Sequence, residues 1–185
     1  MSSGSNNIER FGVTPASYRI TGLAVDKVRN IVGLQTIVFA TPDVGGLALC
    51  CSRIRVLDIG LLTNRLLAKG GYNTVPAVFS DEKPDIIEVH EEWATYSQIY
   101  SLPVFKENYQ AIIIDGTRLY LRRDHVQELL EDELANWCYI KDISCLTMAV
   151  ETHRYVDHTF RSDDVAFLVN GRVLVVKSLP EIAHR

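Results

Sequence analysis

Four cysteines are too few and too irregularly spaced to organise this 185-residue chain. Cys50 and Cys51 are adjacent, Cys138 and Cys145 lie far along, and neither a C-x-x-C pair nor a zinc-ligand spacing occurs. They read as small buried hydrophobes, with a disulfide between the two regions left open for an oxidising compartment. Long apolar runs are missing too. None approaches the ~20 residues that cross a bilayer, so direct membrane insertion by this chain is not expected. Basic charge is not in excess either. Nineteen Lys and Arg against 23 Asp and Glu leave a net charge of −4, which supplies no general field for nucleic acid or anionic lipid. The opening "MSSGSNNIER" has neither a basic segment nor an apolar one, so it does not read as a signal peptide. It reads as a flexible tail or cloning scar over 1–10. The remainder, 11–185, is expected to form a single α/β domain, because 47% hydrophobic residues suit one packed core.

Nucleotide and cofactor motifs are also absent. "RIRVLDIGLLTN", Arg53 to Asn64, opens like the first motif of an S-adenosylmethionine methyltransferase, with an apolar strand, Asp58 and Gly60. Such a cofactor needs further glycines so that the backbone can pass close to it. Leu61 and Leu62 would fill that space, and Glu88, the acidic residue of the next strand, sits inside a buried-looking segment. Gly70-Gly71 follow Lys69 instead of preceding a lysine and a hydroxyl residue, so there is no P-loop. There is no G-x-S-x-G elbow. No cofactor is expected.

What remains is a readable succession of elements. Leu23, Lys27, Val28, Ile31 and Val32 recur near helical spacing, with Gly33 suited to cap the helix. "TIVFA" (Thr36 to Ala40) is a β-branched apolar run of the kind buried on both sheet faces. "PDVGGLALCCS" suits a helix start, "IRVLDI" a second strand, "LLTNRLLAKGG" a short helix and "KPDIIEVH" a third strand. Alternation of this kind predicts a parallel βαβαβ portion over about 36–90. The second half predicts antiparallel additions to a mixed sheet. "YQAIIIDGTRLYLRRD" is a hairpin around Asp115-Gly116, and "VAFLVNGRVLVV" is another around Asn170-Gly171. Between them "DHVQELLEDELANW" reads as an amphipathic helix with Asp124 as N-cap and Val126, Leu129, Leu130 and Leu134 on one side. Trp137 to Asp164 carries no clear pattern.

Taken together, "IVFATPDVGGLALCCSRIRVLDIGLLTN", "EKPDIIEVH", "FKENYQAIII" and "LYLRRD" resemble the C-terminal extracytoplasmic domain of polytopic membrane glycosyltransferases. These are the C-type enzymes that use polyprenyl-phosphate sugars, mannosyl- and arabinosyltransferase-like proteins among them. The resemblance covers roughly Val38 to Asp124 and rests on several weak motifs, with Asp43, Gly45, Asp58, Gly60, Leu61, Pro84 and Asp85 on the family positions. It implies a non-catalytic domain on the periplasmic face of the inner membrane. Its partners would be the transmembrane part of the parent protein or a glycan or polyprenyl-linked sugar acceptor, with no nucleic acid. The family's catalytic carboxylate is expected on a loop between transmembrane helices that this chain lacks, so no turnover is expected from these residues alone. A second reading is a small cytoplasmic α/β enzyme acting on a sugar or nucleotide at the strand ends.

The candidate binding residues are Asp43, Asp58, Asn64, His90, Glu91, Glu92, Trp93 and Tyr96. In "VHEEWATY" the rings of Trp93 and Tyr96 would offer apolar faces to a sugar, while His90, Glu91 and Glu92 would bond its hydroxyls. The alternative is that Glu91 and Glu92 simply start a helix and Trp93 packs in the core. Asp43 and Asp58 could serve as acid and base, or could accept backbone N–H groups of the loops that follow them. Arg122-Arg123 could hold a phosphate or be a solvated pair. His90, Glu91, Asp43 and Asp58 lack metal-ligand spacing, and no metal or catalytic residue is assigned.

Overall fold

The computed structural model describes residues 15–44, 51–132, 136–139, 164–169 and 172–177. Helix α1 runs Pro15–Ile31 and strand β1 Ile37–Thr41; β2 is Ile54–Asp58, α2 Arg65–Gly70 and α3 Val75–Glu82, with a 3₁₀ turn between the two helices. The short β3, Ile86–Ile87, leads into α4 (Glu91–Ser97) and α5 (Pro103–Asn108). Then come β4 (Tyr109–Ile114), β5 (Thr117–Arg122), α6 (Arg123–Glu131), β6 (Asn136–Tyr139), β7 (Val165–Val169) and β8 (Arg172–Val176).

All the described strands join one mixed sheet in the order β2-β1-β3-β5-β4-β8-β7-β6. β1 lies between β2 and β3 and is parallel to both. From β3 onward every pairing is antiparallel. The mixed α/β class and the parallel portion expected over 36–90 are therefore present. Strand alternation divides the core. Ile37 and Phe39 pack on one face with α1 and α6, while Ala40, Ile87 and Tyr120 pack on the other with α2 to α5. Sheet strands covered on both sides account for the near-continuous apolar runs.

Turn chemistry accounts for two features. Asp115 and Gly116 have φ of 45° and 79°, the doubly left-handed geometry that a type I′ hairpin requires. Gly33, at φ 71°, ends α1, with Leu34 N–H donating to the Arg29 carbonyl at 3.0 Å, a Schellman closure.

Three local expectations are corrected. α1 begins eight residues before Leu23, and its core face is Ala24, Val25, Val28 and Ile31, leaving Leu23 exposed. The N-cap of α6 is Arg122, not Asp124, because β5 runs straight into the helix. That helix ends at Glu131, and Trp137 belongs to β6, where it pairs with Phe167 of β7. Residues 45–50, Leu134, 140–163, the Asn170-Gly171 turn and the 1–10 tail lie outside the described residues. Among those described, no helix is long and apolar enough to cross a membrane.

Candidate functional site

Parallel strands bring their C-terminal ends to one rim of the sheet, the place where open α/β sheets bind ligands. Here the rim carries the buried side chains of Thr41, Asp58 and Glu88. Thr41 and Asp58 are register partners in β1 and β2.

Asp58 turns back on its own loop. Its carboxylate accepts the N–H of Gly60 at 2.7 Å and that of Thr63. Gly60 lies so close to the Pro42 carbonyl oxygen that a Cβ would sit 2.2 Å from it, and Leu61 adopts a left-handed φ of 68°. Asn64 is the N-cap of α2, with Oδ1 accepting from the N–H groups of Leu66 and Leu67 at 3.0 and 3.1 Å. Both side chains thus hold loop and helix in place.

The aromatic pair is split. Trp93 is buried, donates Nε1–H to the Ile59 carbonyl at 2.9 Å and meets Tyr72 edge-to-face at 6.0 Å. Tyr96 is 72% exposed. Glu91 opens α4 behind an N-cap at His90, and Glu92 is exposed to solvent.

The structure does bring Asp43 and His90 together. His90 Nε2 lies 3.1 Å from Asp43 Oδ2 and 3.5 Å from Glu88 Oε1. Neither oxygen is placed for a directed hydrogen bond to that nitrogen, which is itself buried. Thr41 Oγ1 donates to the other Glu88 oxygen at 2.8 Å and accepts from the Asp43 N–H at 3.1 Å. Tyr18 of α1 closes the group. Burial and a hydrogen bond to Asp43 push its phenol pKa up. The Glu88 carboxylate raises the His90 pKa above its ordinary value, against burial, and Asp43 adds to the rise. With the side chains of Asp43 and His90 42% and 38% exposed, the group offers solvent an imidazole beside a carboxylate. Thr41, Glu88 and Tyr18 were not among the candidate binding residues expected from the sequence. An acid inside the apolar run "DIIEVH" was the available signal for Glu88.

A second polar node sits at the other end of β3. Asp85 Oδ2 accepts the Val38 N–H at 2.7 Å, and Oδ1 lies 2.9 Å from His125 Nε2 and 3.0 Å from Arg122 Nη1. Arg122 also donates from Nε to both Asp124 oxygens at 2.8 Å and from Nη1 to the Lys83 carbonyl. His125 Nδ1 lies 3.2 Å from Glu128. Burial would raise the Asp85 pKa, but the bonds from His125 and Val38 and the Arg122 charge outweigh it and hold it low. For His125, burial would lower the pKa, and the bonds to Asp85 and Glu128 reverse the sign. The node joins β1, β3, β5, α3 and α6, so Arg122 is engaged within the protein and is not a solvated half of an arginine pair. Beside it lies a cleft of about 580 Å³ lined by residues that include Phe79, Lys83, Asn108, Tyr109 and Asp124.

Among the described residues, no three His, Cys, Asp or Glu side chains are grouped to hold a metal ion. Cys138 is disulfide-bonded, to a partner outside the described residues. No family model, curated protein or solved structure matches this chain. The chemistry open to the β1/β3 rim is hydrogen bonding to a polar ligand, through an imidazole with a raised pKa and two carboxylates.

Proposed function

We propose that the chain is a non-catalytic extracytoplasmic domain of a C-type membrane glycosyltransferase that recognises glycan through Asp43 and His90. The observation that carries this reading is the division of labour at the rim. Asp58 and Asn64 are closed on backbone N–H groups, Trp93 is packed away, and Asp43 with His90 remains half-open to solvent. Hydroxyl groups need such donors and acceptors, and a half-exposed pair of polar side chains suits weak recognition. The disulfide at Cys138 supports an oxidising, extracytoplasmic setting. Five of the positions that carry the family resemblance also have definite work in the fold. Asp58, Gly60 and Leu61 shape one loop, and Pro84 and Asp85 lead into β3.

The test is titration of the ¹⁵N-labelled chain with oligosaccharides and a short-chain polyprenyl-phosphate sugar, followed by NMR. Millimolar affinity, about 4 kcal/mol, with shifts centred on His90 and lost in Asp43→Asn, is the expected outcome. Sugar release or transfer by the purified chain that disappears in His90→Gln would establish the small-enzyme reading instead. Shifts confined to the cleft by Arg122 would move the site.

A further inference from the structure

A lone leucine on a protein surface is ordinary, but the loop after β2 is built to hold one out. Asp58 pins the loop at Gly60 and Thr63, Gly60 is pressed against Pro42, and Leu61 takes a left-handed conformation that leucine rarely adopts. At the tip, Leu62 is 73% exposed, and Leu66, four residues on, is 52% exposed. Arg65, Ala68 and Lys69 are exposed beside them. No acidic residue occurs from Ile59 to Asn73, so Arg65 and Lys69 give this edge a positive charge on a chain of net −4.

We infer that the Leu62–Lys69 edge is a shallow docking site for an anionic lipid surface. Leu62 and Leu66 enter the boundary between headgroups and acyl chains, while Arg65 and Lys69 meet the headgroup phosphates. Two leucines offer far less than the ~800 Å² per partner of a stable protein interface, yet two apolar anchors beside cations suffice for reversible membrane contact. The contact is interfacial and does not span the bilayer. It qualifies the expectation, drawn from net charge alone, that the chain has no attraction for anionic lipid. Because Thr41 and Asp58 are neighbours across β1 and β2, docking there turns the rim that carries Asp43 and His90 toward the membrane. The inference does not depend on the glycan reading.

The experiment is co-sedimentation of the purified chain with extruded vesicles. One set holds equal parts phosphatidylglycerol and phosphatidylcholine, the other phosphatidylcholine only. At low salt, binding to the anionic vesicles should be about tenfold tighter than to the neutral ones and should weaken as salt rises. Arg65→Glu with Lys69→Glu should remove that preference, and Leu62→Ser with Leu66→Ser should weaken binding to both sets about tenfold. All four side chains are exposed, so unchanged melting of the variants separates lost contact from lost fold. Equal binding to both vesicle sets, or a lipid preference that survives the charge reversals, overturns the inference. A concentration-dependent dimer abolished by the serine variants would do so as well, by making the leucines a protein interface. Glycan titration of the same variants should be unchanged, which keeps the two proposals apart.

Discussion

Replacing Asp58 by asparagine separates the two roles open to an aspartate at a strand end. The side chain is 3% exposed, and its carboxylate accepts two backbone N–H groups, from Gly60 and Thr63. A carboxylate has lone pairs for both, whereas the near-isosteric amide keeps one carbonyl oxygen and turns an N–H₂ toward the second donor. One amide is then left without an acceptor in a packed loop, which costs about 1–3 kcal/mol, and the surviving bond loses its charge assistance, worth about 1 kcal/mol more. The expected loss is about 2–4 kcal/mol. For a domain of this size that lowers the melting temperature by about 4–16 °C. Calorimetry at neutral pH reads the difference directly. Asn64→Ala is the reference, because it removes an N-cap and should cost about 1 kcal/mol, less than Asp58→Asn. A ligand-facing Asp58 would behave in the opposite manner, since asparagine there would weaken binding and leave stability alone. A melting point within about 1 °C of wild type for Asp58→Asn would refute the structural role.

Gly60→Ala places a methyl group 2.2 Å from the Pro42 carbonyl oxygen, and because that oxygen is backbone and cannot swing aside it should cost about 1–3 kcal/mol in urea unfolding; a neutral result would mean the loop does not pack against Pro42. The Asp85–His125 node makes stability depend on pH in two directions. His125, raised above its ordinary 6.5, contributes fully below that value and loses its contribution as pH rises through its folded pKa. Asp85, lowered from its ordinary 3.8, contributes fully above that value and loses its contribution as pH falls through its folded pKa. The gap in stability between wild type and His125→Gln should therefore narrow as pH rises above the ordinary 6.5 and through the raised folded-state pKa, and a constant gap would show that the imidazolium form is not the one stabilised. Thiol titration of the denatured, unreduced chain should find at most two of the four cysteines reactive, because Cys138 and its partner are joined. Reduction should then cost about 2–4 kcal/mol, and four reactive thiols would remove the support for an oxidising compartment.

How far each feature could be read from the sequence depends on how far apart along the chain its partners lie. The parallel strands were legible for two reasons: β1 lies inside the sheet and reads as the nearly unbroken apolar run "TIVFA", and "IRVLDI", though interrupted by Arg55 and Asp58, keeps a β-branched and aliphatic character between turn residues. The β4–β5 hairpin was legible because few dipeptides other than Asp-Gly tolerate two left-handed residues in succession. The end of α6 was not. "EDELANW" continues a helical composition, and residues from Asn136 become a strand only because Trp137, Cys138 and Tyr139 find Phe167, Ala166 and Val165 alongside, a tertiary pairing that overrides local preference.

The same distinction governs the site. That Asp58 and Asn64 occupy a strand end and a helix start could be read locally, because their acceptors serve N–H groups two to five residues away. Which task they perform could not, since an exposed aspartate and a loop-closing one present the same letters. The Asp43–His90 contact spans nearly fifty residues and follows only once β1 and β3 are known to be neighbours. Tyr18 and Thr41 join it from α1 and β1, where neither is marked out from its neighbours in the sequence. The node of Asp85, Arg122 and His125 spans forty, and its one sequence sign is a histidine on the buried face of α6 beside Val126 and Leu129. A polar residue that interrupts an apolar face needs a partner, and here that partner is the carboxylate that also holds β1 through the Val38 amide. Junctions between the parallel and antiparallel halves are therefore where polar groups of distant sequence converge. In this chain, one end of β3 uses that convergence for structural cohesion, and the other leaves Asp43 and His90 half-exposed to solvent.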